Sequence, residues 1–365
     1  MWNRNDFTRR LGIEWPVLQA PMAGGISTPA LAAAVTNAGG LGSFAVGALH
    51  PDAVRDGIRA TKRLTSGPFA VNFFTPAEEQ ETPSDADLAA AVEALGPFRA
   101  QVGLGAPGRP GPPPRLEDQL DAALAEGFPV LSFTFGIPSP RLLARMRESG
   151  ILLVGTATTP GEAAALELAG VDAVVAQGAE AGGHRGTFGA EARAGLIGTL
   201  ALVPRVADRV RIPVVAAGGI ADGRGLAAAL ALGASAAQVG SAFLGCSESG
   251  ASPAYRAAVT APDDGDRTVL TSAFSGRMAR GVRNRFVDGM AGRPVLPFPF
   301  QNALTQDMRG AAARAGDAGL LSMWVGQGPA PRSGLGAAEV LATMVRQASA
   351  VLDGLRPSGD PSSGT

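Results

Sequence analysis

The chain has 365 residues, 46% of them hydrophobic and 17% charged, which suits one large globular domain or a large one with a smaller companion. Its formal net charge is −1, so no overall field favours nucleic acid or an anionic membrane. The lone cysteine, Cys246, excludes an intramolecular disulfide and fits a reducing compartment, here the cytoplasm. With only two histidines beside it, no metal site is expected.

The opening Met1-Trp2-Asn3-Arg4-Asn5-Asp6 has no apolar core of the signal-peptide kind, so none is predicted. From there short apolar runs alternate with longer alanine-rich helical patterns. The runs 16–20, 41–46, 69–73, 130–135, 151–155, 173–177, 213–217 and 236–240 predict eight strands. The stretches 29–38, 52–64, 139–148, 160–169, 196–210 and 223–232 predict helices between them. Ser27/Thr28 before Pro29 and Thr159 before Pro160 are N-terminal capping signals, and Gly39, Gly170 and Gly233 suit left-handed stops. Residues 226–244 are apolar but glycine-interrupted, which predicts a buried helix and strand rather than a membrane span. Cys246 is expected to be a small buried hydrophobe.

Near-continuous apolar strands separated by helices imply parallel strands covered on both faces. Eight of them imply a closed (β/α)8 TIM barrel rather than an open doubly wound sheet. Two segments break the rhythm. Residues 75–128 include the acidic Glu78-Glu79-Gln80-Glu81 and a Pro/Gly-rich 105–114. They are expected to form a helix, a loose surface excursion and a regular helix over 116–126. A smaller helical domain is expected over 247–314, after a barrel of residues 1–246. A segment 315–356 then returns to the barrel, and 357–365 form a disordered tail. Arg277, Arg280, Arg283 and Arg285 are expected on one solvated helix face, with Asp263, Asp264 and Asp266 diluting any basic patch.

The chemistry gathers where strands end. After the sixth strand comes Gln177-Gly178-Ala179-Glu180-Ala181-Gly182-Gly183-His184, which sets a titratable imidazole beside a glycine turn. After the seventh comes Ala217-Gly218-Gly219, and after the eighth Gln238-Val239-Gly240-Ser241. Their backbone N–H groups, the Ser241 hydroxyl and the following helix N-terminus form a phosphate cradle where barrels commonly hold one. Met22 after the first strand, Asn72 in the third and Gln177 supply a polarizable sulfur and two amides, which suit a flat heteroaromatic such as an isoalloxazine. No G-x-G-x-x-G fingerprint supports a Rossmann site.

Taken together, Ala20-Pro21-Met22, Gly39-Gly40-Leu41-Gly42, Val71-Asn72, Gln177 with Glu180-Ala181-Gly182-Gly183-His184, Ala217-Gly218-Gly219 and Gln238-Val239-Gly240-Ser241 resemble the nitronate monooxygenase family. The likeness, nearest to the class I branch, continues in Ser275-Gly276-Arg277-Met278-Ala279-Arg280-Gly281, Gln301-Asn302-Ala303-Leu304-Thr305 and Trp324-Val325-Gly326-Gln327-Gly328. The resemblance implies non-covalent FMN held at Met22, Asn72, Gln177, Gly182, Gly219, Gln238, Val239, Gly240 and Ser241, with Trp324 and Gln327 closing over it. It implies oxidation of an alkyl nitronate or nitroalkane by O2 to a carbonyl compound and nitrite. His184 would be the base or substrate-binding residue. The implied partners are a small substrate and O2, in a monomer or homodimer, without nucleic acid or membrane.

The chain departs from the family pattern at two points. Thr134-Phe135-Gly136 stands where many class I members carry His-Phe-Gly, and Phe298-Pro299 where they carry Tyr-Pro. Both changes make the expected pocket more apolar and point to a bulkier, less polar nitro compound. Two other readings remain: an FMN-dependent NAD(P)H reductase of the enoyl-[acyl carrier protein] or quinone type, and a flavin-binding protein without turnover. His50, before Pro51, is expected to be structural.

Overall fold

The computed structural model describes residues 2–355 except 76–81, 112, 190, 263, 264 and 266. The patch at 78–81, the three aspartates at 263, 264 and 266, and the tail 357–365 therefore lie outside the described residues. In chain order the strands are β1 (Val17–Gln19), β2 (Gly42–Ala45), β3 (Phe69–Phe74), β4 (Val130–Thr134), β5 (Leu152–Ala157) and β6 (Ala173–Gln177). They continue with β7 (Gly183–His184), β8 (Val214–Ala217), β9 (Ala236–Val239), β10 (Thr268–Thr271) and β11 (Ala279–Val282).

Eight of these form one parallel sheet in the order β1-β9-β8-β6-β5-β4-β3-β2. A parallel bridge from Leu18 to Leu41 brings its two ends together, with Gln19 N donating to Leu41 O at 2.8 Å. The result is a nearly closed (β/α)8 barrel, as the strand count implied. Period-two alternation divides the strand residues. Leu18, Leu41, Val130, Val154, Val175 and Val215 fill the interior, while Val17, Val71, Leu131, Leu153, Val174 and Val214 pack outward under the helices. Helix Asp6–Leu11 plugs the bottom with Phe7 and Leu11. Asn5 anchors it by donating to Ser235 O at 2.7 Å, just before β9.

The capping signals act as expected. Thr28 and Thr159 accept from Leu31 N and Glu162 N, and Gly39, Gly170 and Gly233 all take positive φ. Ser27 is not the cap; its hydroxyl accepts from Gln19 Nε2 and Met22 N, bracing the turn after β1. Cys246 is buried, and burial pushes its thiol up to about 12. His50 is exposed at the start of helix Pro51–Leu64 and makes no capping hydrogen bond with its side chain. No helix among the described residues is long and apolar enough to cross a membrane.

A second hydrophobic core lies over the barrel, built from Tyr255, Phe274, Phe286, Leu304, Met308 and Leu320. Strands as well as helices serve it, because β10 pairs with β11 and β11 pairs with β7 of the barrel loop. The arginine run is therefore not a helix face. Arg280 lies buried in β11, where it donates to Ala179 O and Thr268 Oγ1, and Arg277 turns into the barrel mouth. Their three-residue spacing mimics a helix, but pairing with Gly183 and His184 decides for a strand.

The segment after β3 has the expected order of helix, irregular stretch and helix Leu116–Glu126, but its first helix is not a surface feature. Helix Asp85–Gln101 buries Ala91, Ala94, Leu95 and Phe98 in the second core. Arg99, 3% exposed, grips both carboxylate oxygens of Asp307 at 2.7 and 2.8 Å and donates to Leu304 O and Gly105 O. A buried fork against a carboxylate loses heavily when one side is removed. Arg99→Ala is expected to lower unfolding stability by about 2 kcal/mol in urea titrations. Asp307→Asn, which keeps an acceptor, should cost less. Equal stability of Arg99→Ala and the parent would show that this clamp does not hold the helix.

Candidate active site at the barrel mouth

The loop after β6 has almost no regular structure, so side chains must satisfy its backbone. Arg185, 1% exposed, gathers Gln177 O, Gly178 O and Gly195 O at 2.7, 2.7 and 3.1 Å. Burial lowers its pKa to about 10, which leaves it charged at neutral pH. The Gln177 amide bridges the same loop, donating to His184 O at 3.0 Å and accepting from Gly186 N at 2.8 Å. Glu162 accepts from Phe188 N and Gly189 N, pinning the outgoing chain to the start of helix Pro160–Leu168.

Gly182 is required by a close backbone approach. A Cβ there would stand 2.6 Å from Gly326 N and from Val325 C. The segment 324–328 thus straps the mouth. Gly326 N donates to Ser241 Oγ at 2.9 Å, Gln327 N to Glu180 O at 2.9 Å, and Tyr255 Oη to Trp324 O at 2.7 Å.

His184 projects among aromatic rings. Trp324, Phe135, Phe298 and Phe74 lie 5.4, 5.7, 5.8 and 6.5 Å from it by ring centroids. Its Nε2 is 2.8 Å from Ser275 Oγ. Phe135 has φ +86, the one non-glycine residue with positive φ among those described, and its ring stacks on Phe74 at 4.6 Å. Such strain persists only where the surroundings hold it. Arg277 helps by lying 4.0 Å over the Phe135 ring while donating to Arg185 O and Thr187 O. Arg309 donates to Asn302 O, Asn302 Oδ1 and Thr305 O. Neither arginine makes an ion pair with a carboxylate among the described residues.

Part of His184 still reaches solvent, yet its ring is hemmed in by packed side chains, and that enclosure governs its hydration. Burial, then the charges of Arg277 and Arg309, push its pKa down to about 3. The imidazole is neutral at physiological pH.

The phosphate side differs in one respect from its expected form. The N-terminus of helix Gly223–Ala231 is taken by Asp222, which accepts from Arg224 N and Gly225 N and pairs with the Arg224 guanidinium. A carboxylate already fills that dipole end. The turns themselves are open: Gly219 (φ +72), Gly240 and Ser241 donate their N–H groups to nothing in the chain among the described residues. Gly240 also abuts the turn after β1, since a Cβ on it would lie 3.3 Å from the Ala20 Cβ and 4.0 Å from the Met22 Sδ. Three free backbone donors at a glycine cradle suit a phosphate, and the half-buried Gln238 amide beside them has no hydrogen-bond partner among the described residues.

The structure therefore brings Met22, Gly219, Gln238, Val239, Gly240 and Ser241 together on one side and His184 with Trp324 on the other. Asn72 donates to Ser132 Oγ at 3.0 Å inside the mouth, and Gln327 is an exposed strap residue. Gln177, Gly182 and Ser241 hold loop and strap in place. Sequence reasoning missed Ser275, Arg277, Arg309, Phe74 and Phe135 as neighbours of His184. The signal that could have found the two phenylalanines is that a chain poor in aromatics puts Phe74 and Phe135 at the ends of adjacent strands. An open cleft of about 630 Å³ lies elsewhere, between helix Gly223–Ala231 and the C-terminal helix Ala337–Gly354, and none of these residues lines it.

Fold and site define a (β/α)8-barrel enzyme whose polar groups converge at the C-terminal ends of the strands. The chain belongs to the nitronate monooxygenase family, whose model matches residues 5–347. It is 43% identical over 333 residues to a probable nitronate monooxygenase of Staphylococcus aureus (strain Newman), covering 90% of this chain and 93% of that one. Among solved structures it is similar to nitroalkane oxidase from Streptomyces ansochromogenes, with 40% identity, a TM-score of 0.87 and coverage of 96% and 100%. It is also similar to FabK from Thermotoga maritima, with 30% identity, a TM-score of 0.73 and coverage of 97% and 98%. The protein is thus an oxidoreductase of the flavin-dependent nitronate monooxygenase family.

The buried imidazole has a consequence for stability. Its folded pKa of about 3 lies below the ordinary 6.5, so the unfolded chain binds the proton first. The contribution is complete above pH 6.5 and is lost as pH falls toward 3. From pH 7 to pH 5 the parent should lose about 2 kcal/mol more than His184→Asn does. Urea titrations of both proteins at the two pH values test this; parallel losses would mean that His184 titrates normally.

Proposed function

We propose that the protein binds FMN non-covalently at the mouth and oxidises nitronates by O2 to a carbonyl compound and nitrite, with His184 beside the reacting carbon. The free N–H groups of Gly219, Gly240 and Ser241 support the phosphate position, and Met22, Asn72, Gln238 and Val239 line the way to it. Gln177, Gly182, Trp324 and Gln327 complete the set as loop and strap. Bound there, FMN supplies the electron acceptor and the means of reducing O2.

The carrying observation is the charge balance around His184: a neutral imidazole in an aromatic box, with two guanidinium groups that make no ion pair among the described residues, only Glu162 acting on Arg277 through its field. That field attracts an anion, which favours the nitronate over its neutral nitroalkane. A base with so low a pKa takes a proton from carbon poorly. Proton transfer to His184 would create an imidazolium that Arg277 and Arg309 oppose and a nitronate that they favour. The two effects largely cancel, and the burial cost of the imidazolium remains. Phe74, Phe135, Phe298 and Trp324 give the rest of the pocket an apolar wall, with Thr134 hydrogen-bonded to Thr156 at 3.3 Å. The preferred nitronate accordingly carries an apolar substituent.

The test uses the protein as purified. A flavin spectrum with FMN released on denaturation, anaerobic bleaching by a nitronate, and nitrite formed in air are expected. Nitronates with larger apolar groups should give the higher kcat/KM, and His184→Ala should lose about 100-fold on neutral nitroalkanes but less on nitronates. Bleaching by NADH or NADPH with no response to nitronates would replace this reading with the reductase one.

A further inference from the structure

Two hydrogen bonds in a row decide what His184 presents to a substrate. Its Nε2 lies 2.8 Å from Ser275 Oγ, and Ser275 Oγ lies 3.1 Å from Arg277 O. Ser275 is 1% exposed, and its hydroxyl is the only donor to that carbonyl among the described residues. Each short contact needs one proton between its two heavy atoms. The carbonyl has none to give, so the serine proton must point at it, and Nε2 must then carry its own. Reversed, with the serine proton on Nε2, two buried oxygens would face each other at 3.1 Å without a proton. An unpaired buried acceptor disfavours that arrangement by roughly tenfold or more.

We infer that Ser275 is the positioning residue of His184: it holds the ring as the Nε2–H tautomer, so that the Nδ1 lone pair is the one ring atom free to take a proton from a substrate. This rests on the reading of His184 as the residue beside the reacting carbon.

The serine is itself held on both sides. Gln301 Nε2 donates to Ala273 O at 2.9 Å and Thr305 Oγ1 to Phe274 O at 2.6 Å, which ties the chain before Ser275 to helix Phe300–Ala315. After it, Arg277 donates from its side chain to the carbonyls of Arg185 and Thr187, while Arg185 N donates to Met278 O at 2.9 Å. The turn that carries Ser275 and the loop that carries His184 are thus stitched together on either side of the imidazole. Ser275 acts through the histidine and touches no reacting atom.

The chain has only two histidines, so histidine-selective ¹⁵N labelling gives four ring-nitrogen signals, and long-range ¹H–¹⁵N correlation reads the tautomer directly. In the whole protein at pH 7, one histidine should show a protonated Nε2 and a bare Nδ1, and it should vanish in His184→Asn. Ser275→Ala should convert that signal into a tautomer mixture, leave His50 unchanged, and lower kcat/KM for a neutral nitroalkane roughly tenfold, with a smaller effect on its nitronate. Ser275→Thr, which keeps the hydroxyl, should restore the single tautomer. A parent spectrum with the proton on Nδ1, or an unmixed Nε2–H signal in Ser275→Ala, overturns the inference whatever the substrate. A normal Nε2–H spectrum in a protein that forms no nitrite supports the role of Ser275 and counts instead against the nitronate reading.

Discussion

Arg185 is the side chain on which the barrel mouth depends. A guanidinium buried to 1% exposure needs acceptors for its protons, and here the two terminal nitrogens meet the carbonyls of Gln177, Gly178 and Gly195 rather than one carboxylate, while Nε has no partner among the described residues. Those carbonyls lie at the two ends of a loop whose ladder is limited to the two residues of β7. One cation therefore turns a flexible glycine turn into a rigid shelf, and His184 sits on its edge. Glu162 and Glu180 lie close enough to offset part of its charge, and each also anchors backbone N–H groups of its own.

The strap of residues 324–328 links the shelf to the phosphate turns. Gly326 fits between Gly182 and Ser241, and Gly328 packs against Gly219, so both halves of the candidate site share one piece of backbone. Trp324, at the start of the strap, contributes its ring to the wall around His184. That wall makes water scarce, and the guanidinium groups of Arg277 and Arg309, which make no ion pair among the described residues, add positive charge to the same space. The same scarcity of water gives the Ser275 hydrogen bond its control over the tautomer.

Much of this was legible in the chain. Apolar runs of strand length and the alanine-rich patterns between them located every barrel strand, because a strand buried on both faces leaves a near-continuous signal. Thr28, Thr159 and the stop glycines marked helix ends through local chemistry alone. The glycine turns after β8 and β9 were readable because strand order assigns them a place. The readings that failed depended on distant partners. Arg277 and Arg280 have a helix-like spacing, and nothing local says that β11 will pair with the two residues of β7. Phe98 and Arg99 belong to a segment that breaks the strand–helix rhythm, and nothing local says that Phe286 and Asp307 will lie beside them. Asp222 was read past, although an aspartate before a helix is a capping signal that competes with any anion for the same end.

By itself the sequence determined the barrel, the places of its turns and the presence of a scarce imidazole at one of them, since these follow from periodicity and composition within short windows. Only the tertiary structure decided what surrounds that side chain. The aromatic wall draws on residues 74, 135, 298 and 324, and the charge field on 277 and 309. Protonation state and tautomer depend on burial and on atoms within a few ångströms, which the linear order of residues does not encode.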